Sequence, residues 1–149
     1  MSEKLSRSVG FAALSCAVAV ALGAFGAHGL ADKVSPKDLD TWKTAAHYHL
    51  IHSVALVALS SMDTENKLKT VRLLLWIGIV IFAGSLYTLV LSQQRILGAI
   101  TPLGGLSLIS AWVLLGVQCL NLKTNRKLFL LATLIVFRVV YYVHKLWHI

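Results

Sequence analysis

Long apolar runs alternate along this chain with short gaps that hold nearly all of its charges. Membrane helices have that layout, because an apolar stretch must match the hydrocarbon thickness while charges collect at its edges. The composition agrees. Of 149 residues, 57% are hydrophobic and 13% charged, against about a quarter charged in a soluble domain. The expected fold is all-α: an integral membrane helical bundle of four core transmembrane helices, with a fifth helix at the C-terminus. Residues 1–122 form the four-helix membrane domain and residues 123–149 a C-terminal helical extension.

This layout leaves few classes of chemistry open. The formal charge is +8, but the basic residues flank the apolar runs. Topology and anionic headgroups account for them there, so nucleic acid is not a partner. Cys16 and Cys119 each sit inside an apolar run, which argues against a disulfide framework or a zinc site. All six acids (Glu3, Asp32, Asp38, Asp40, Asp63, Glu65) fall in loops or near the terminus, so no carboxylate relay crosses the membrane. Ser53, Ser60 and Ser61 lie near histidines in sequence, but serines in membrane helices usually bond their own backbone. The chain is therefore expected to be no enzyme, with no cofactor and no metal. Its expected partners are membrane lipids and other membrane protein subunits.

The first run, from about Val9 to Leu30, is long enough to span and reads as a retained helix rather than a cleaved signal peptide. Near its end Gly23, Gly26 and Gly29 recur every third residue, with alanines between them. Side chains that small let another backbone approach closely. Ser35-Pro36 marks the next helix start, with Ser35 as cap and Pro36 in the first turn. That helix runs to about Ser61, its first two turns polar and Trp42 at the headgroup level. A polar turn from Met62 to Arg72 precedes the third span, about Leu73 to Leu91, which carries Gly84-Ser85-Leu86-Tyr87 near its end. After a loop holding Arg95, Thr101-Pro102-Leu103-Gly104-Gly105 opens the fourth span, which runs to about Leu122. Gly84, Gly104 and Gly105 join the glycines of the first helix as packing positions.

Counting Lys and Arg by side gives eight (Lys4, Arg7, Lys67, Lys69, Arg72, Lys123, Arg126, Lys127) against five (Lys33, Lys37, Lys43, Arg95, Lys145). That bias puts the N-terminus on the cytoplasmic or matrix side. His28, Tyr48, His49, His52, Ser85, Tyr87 and Thr101 then all fall in the outer leaflet, as a candidate polar or binding cluster. A histidine at bilayer depth is costly unless it is bonded. The simplest role for His52, the deepest of them, is a bond to a carbonyl or hydroxyl on a neighbouring helix. His49 and His52 are three residues apart, a spacing that two ligands of a metal or haem use, with His28 as a third. No acid or thiol pair in the spans supports them, which weighs against that chemistry.

The segment from Leu128 to Ile149 is about 33 Å long if helical, enough to span. Arg138, Tyr142, Lys145 and His148 recur on one helical face. With Trp147 they make a candidate contact for a partner or for lipid. No acid in the spans neutralises Arg138, which leaves snorkelling, backbone carbonyls, a lipid phosphate or another subunit.

Four blocks, in their order and spacing, carry a resemblance. They are Leu22 to His28, Trp42 with Tyr48 and His52, Gly84 to Tyr87, and Thr101 to Gly105. Together they resemble the signature blocks of domain-of-unknown-function family 423, the relatives of transmembrane protein 256. The resemblance covers about residues 8 to 122. It implies a four-helix protein of the bacterial inner membrane or, in eukaryotes, of the mitochondrion. It implies no activity, cofactor or substrate. Leu128 to Ile149 depart from it, since members typically stop soon after the fourth span.

Three functions compete. The first is a non-enzymatic accessory or structural subunit of a membrane complex, a respiratory one in the inner mitochondrial membrane if the source is eukaryotic. The second is a small-molecule or ion transporter or channel component with an outer-leaflet His/Tyr site. The third is a haem- or quinone-binding membrane protein that uses the histidines. The first is preferred, because the inner half of the bundle offers no polar path across.

Overall fold

The computed structural model describes residues 3–63, 65–120 and 138. Among them every regular element is helical. α1 (Glu3–Phe25) runs without a break into a π-helical turn, Gly26–Leu30. α2 (Pro36–Met62) follows after a short connection. α3 (Lys69–Gly78), a second π-helical turn (Ile79–Ala83) and α4 (Gly84–Ser92) form one continuous rod. A 3-10 turn (Arg95–Ala99) leads into α5 (Thr101–Cys119).

Local chemistry sets where these helices begin and end. The Asp38 amide donates to Ser35 Oγ at 3.1 Å, and that hydroxyl donates back to the Asp38 carboxylate at 2.8 Å. The exchange satisfies both groups and starts α2. Pro36 takes the first turn, where its missing N–H costs nothing. At the far end the Asp63 carboxylate accepts from the amides of Lys67 (2.8 Å) and Leu68 (3.0 Å) and from the Arg72 guanidinium. Asn66 turns the chain there at φ 58°, a conformation that Asn tolerates better than most residues. This clamp holds Arg72 inside α3, so the helix starts at Lys69 and not at the expected Leu73.

α2 is the central helix. It lies along α1 and also meets α3, the second π turn and α4, while α5 packs on α3 and the same π turn. Two buried apolar clusters result. One gathers Ala12, Leu56, Val71, Leu75, Ile79, Leu108 and Ala111; the other gathers Leu30, Trp42, Leu89 and Val90.

The face of α1 toward α2 is a stripe of small residues. Ala12, Ala19 and Gly26 are buried on it, and Gly23 meets the Ala46 methyl. With 3.6 residues per turn, a repeat of three drifts round the helix, so Gly23, Gly26 and Gly29 do not share one face. Beside Gly26 the Trp42 indole occupies the space of a Cβ, whereas beside Gly29 that space holds Phe25 of the same helix. Trp42 is 1% exposed and donates its indole N–H to the Leu22 carbonyl at 2.7 Å. It is a core residue of the bundle, enclosed between α1 and α4. Between the third and fourth segments, a Cβ on Gly104 would stand 2.7 Å from Phe82 Cα. Gly78, which the sequence did not single out, is covered by Leu108, while Gly84 faces open space and Gly105 has room against the Phe82 ring.

Among the described residues three helices are long and apolar enough to cross a membrane: Arg7–Leu30, Lys69–Ser92 and Arg95–Cys119. α2 has 27 residues, which is length enough. Its first turns carry Lys37, Asp38, Asp40 and Lys43, and His47, Tyr48, His49 and His52 follow, which together dilute its apolar character. The four core spans expected from the sequence are therefore met in three. Phe11, Leu14, Val80, Leu91 and Leu103 are all more than half exposed, an outer surface suited to lipid. Residues 121–137 and 139–149 lie outside the described residues, and with them Tyr142, Lys145, Trp147, His148 and the expected fifth helix. Arg138 alone is described there, helical and exposed.

Candidate functional site

Between the two apolar clusters runs a chain of polar side chains drawn from three helices. Ser15 Oγ of α1 lies 3.1 Å from His49 Nε2 and 2.7 Å from Ser53 Oγ, both on α2. Tyr87 of α4 brings its hydroxyl to 3.5 Å from His49 Nδ1, a long contact for a hydrogen bond. His49 is 8% exposed and Ser53 fully buried. One imidazole thus ties three helices together, with hydroxyl groups on both of its nitrogens. Tyr87 is itself fixed by the Trp42 ring, whose centroid is 4.6 Å away, and Phe25 closes on Trp42 at 5.7 Å.

Register puts this chain near the middle of the bundle. Ser15 stands eight residues from Arg7 and fifteen from Leu30 in the first span, roughly 12 and 22 Å by helix rise. Toward the Leu30 end of that span stand Trp42 and Leu22. Their hydrogen bond sets α2 against α1 so that His49 reaches down to Ser15.

The other residues singled out from the sequence divide. Ser85 Oγ and Thr101 Oγ1 lie 2.8 Å apart and join α4 to α5, separate from the His49 chain. Tyr48 is partly exposed and packs on Phe82, with centroids 4.9 Å apart. His28 sits exposed on the first π turn. His52 bonds no neighbouring helix: its Nδ1 meets the carbonyl of Tyr48, four residues back in α2, at 2.7 Å. His49 makes the contact between helices that was expected of His52. Among the described residues no group of three His, Cys, Asp or Glu side chains stands close enough to hold a metal ion.

A second polar junction closes the rim at the start of α2. The Arg95 guanidinium donates to both Asp38 oxygens, at 2.7 and 3.3 Å. Gln93 Nε2 approaches the same carboxylate at 3.5 Å. The guanidinium beside Asp38, helped by the Ser35 hydroxyl, holds its carboxyl below the usual range. The pair fastens α2 to the connection between α4 and α5.

Ser15 is the functional candidate that the sequence did not reveal. Ser61, Thr88 and Ser92 do bond their own helix backbone, as hydroxyls in apolar helices usually do. Ser15 instead occupies the small-residue stripe that α2 covers, one turn from Ala12 and from Ala19, and that shared face was the available signal.

The family model described as protein of unknown function DUF423 matches residues 22–105, a range that takes in α2 and the contact between His49 and Tyr87. A UPF0382 membrane protein of Staphylococcus saprophyticus is 48% identical over 105 residues, covering 69% of this chain and 88% of its own length. The UPF0382 membrane protein YwdK of Bacillus subtilis is 42% identical over 113 residues, covering 73% of this chain and 92% of its own length. No solved structure matches the chain. Both relatives are bacterial, which gives the mitochondrial and respiratory alternatives no support.

Proposed function

The chain belongs to the DUF423 family of membrane proteins, and from that premise we propose that it is a non-enzymatic structural subunit, working by helix packing beside another membrane protein. One observation carries the proposal. Among the described residues no buried side-chain nitrogen or oxygen lacks a hydrogen-bond partner. Polar groups so satisfied act as glue between helices in lipid, whereas a conduction path needs polar groups left facing water. The chain through His49 is bounded by Ala12 and Leu56 on one side and by Trp42 and Leu30 on the other, which speaks against a transport route. In this proposal α2 crosses the bilayer with its neighbours and the N-terminus is cytoplasmic. The segment 123–149, with Arg138, Tyr142, Lys145, Trp147 and His148, docks on the partner.

Gentle detergent extraction, native electrophoresis and mass spectrometry of the band test this. The full chain is expected to migrate with at least one larger membrane protein, and deletion of residues 128–149 to release a folded small bundle. If the full chain runs alone as a small homo-oligomer, the subunit role is wrong. If the truncated chain stays with the larger protein, the docking role of the C-terminal segment is wrong.

A further inference from the structure

His52 stands apart from the hydrogen bonds around His49, and its own bond fixes its chemistry. The Tyr48 carbonyl 2.7 Å from Nδ1 can only accept, so Nδ1 carries the proton and the neutral ring keeps its lone pair on Nε2. The residue is only 6% exposed. No fully buried side-chain nitrogen among the described residues is left without a partner, and Nε2 has no hydrogen bond among them. Nε2 therefore keeps a narrow accessible edge within a largely buried residue.

Two aromatic rings flank the imidazole. Tyr48 stacks on the imidazole, with centroids 5.8 Å apart and planes 19° apart, and Trp112 of α5 stands 6.1 Å away. Tyr48 and Trp112 are each 43% exposed, and Ile109, one turn before Trp112, is 40% exposed. His52 is sixteen residues from the start of α2 and ten from its end, roughly 24 and 15 Å; with α2 across the bilayer, as proposed above, water supplies no donor there.

We infer that this patch binds a lipid-soluble hydroquinone from the membrane, its hydroxyl donating to His52 Nε2 and its ring packing against Tyr48 and Trp112. A lone acceptor at hydrocarbon depth selects a ligand that brings a donor. The ring walls select an aromatic head group, and the exposed isoleucine suits an apolar tail. A quinone or an ether of the same shape brings acceptors only, so it leaves Nε2 unpaired. The inference goes beyond the structural-subunit role but rests on the placement of α2 across the bilayer proposed with it, which cysteine labelling at positions 32 and 65 tests separately.

The test uses the full-length protein with isotope-labelled histidine in phosphatidylcholine nanodiscs. It is titrated with a decyl-substituted benzohydroquinone and, separately, with the dimethyl ether of that compound. The expected result is a saturable shift of the His52 Nε2 resonance with the hydroquinone and none with the ether. His52→Phe, which keeps a ring in place, is expected to weaken hydroquinone binding by about tenfold, the worth of one hydrogen bond. The inference is overturned if both compounds shift the resonance equally, as partition into lipid would do, or if neither does. Because the two compounds are compared on the native chain, that outcome stands whether or not the variant folds.

Discussion

Ser15 bonds His49 and Ser53 at once, so removing its hydroxyl takes a partner from both. Ser15→Ala is expected to lower stability by about 1 kcal/mol, since hydrogen bonds between membrane helices are worth less than their isolation implies. Thermal unfolding in detergent measures this, and the double variant with Ser53→Ala should lose less than the two single losses added together. Strict additivity would mean that the two hydroxyls act independently. Sequence reading found His49 and Tyr87 because a histidine or tyrosine in an apolar run stands out. It passed over Ser15 because a serine in a membrane helix has two habits, its own backbone or a neighbour, and composition does not separate them. Amphipathic rings favour the interface, and for Trp42 the sequence does not tell that the indole N–H finds a carbonyl inside the bundle.

At the scale of the elements, glycines test which helices approach most closely. A methyl on Gly104 meets Phe82 backbone atoms, which have no side-chain freedom to yield. Gly104→Ala is expected to cost about 1–3 kcal/mol. Gly84→Ala has open space and is expected to be neutral or to stabilise by up to about 1 kcal/mol, as alanine does in a helix interior. Equal effects of the two changes in a melting experiment would contradict the packing of α5 on the second π turn. The junction of α2 with the connection before α5 makes a separate prediction. Asp38 titrates below its ordinary 3.8 because of Arg95. A depressed carboxyl stabilises above the unfolded value, and that contribution is lost as the pH falls through the folded one. The melting temperature should hold level from neutral pH to about pH 4. Below that it should fall more steeply for the native chain than for Asp38→Asn. Parallel curves would show that the pair contributes nothing, and solvent around the largely exposed guanidinium limits the effect in any case.

At the scale of the whole molecule, the question is whether α2 crosses. Single cysteines at Asp32 and Glu65, in a background without Cys16 and Cys119, decide it with a membrane-impermeant maleimide. The cysteine at position 32 should label in intact cells and the one at 65 only after permeabilisation. Labelling of both from outside would mean that α2 turns back at the surface. The same result would undo the positive-inside assignment, since Lys67, Lys69 and Arg72 would then stand outside with Lys33 and Lys37.

Read alone, the chain settled what depends on neighbours in sequence. The apolar runs and charged gaps defined a helical membrane class. Ser35-Pro36 opened α2, and the resemblance of four ordered blocks identified the family. These are local matters, decided by hydrocarbon thickness, by helix caps and by motif order. What only the tertiary structure decided is how far each helix slides and turns against the next. Two helices with the same sequences but a shift of one turn would bury a different serine and leave Trp42 at a different depth. The hydrogen bond from Trp42 to Leu22, the contact of Gly104 with Phe82 and the reach of His49 to Ser15 together select one offset. In lipid the apolar faces are nearly as well solvated apart as together, so packing and polar bonds, not hydrophobicity, choose that register.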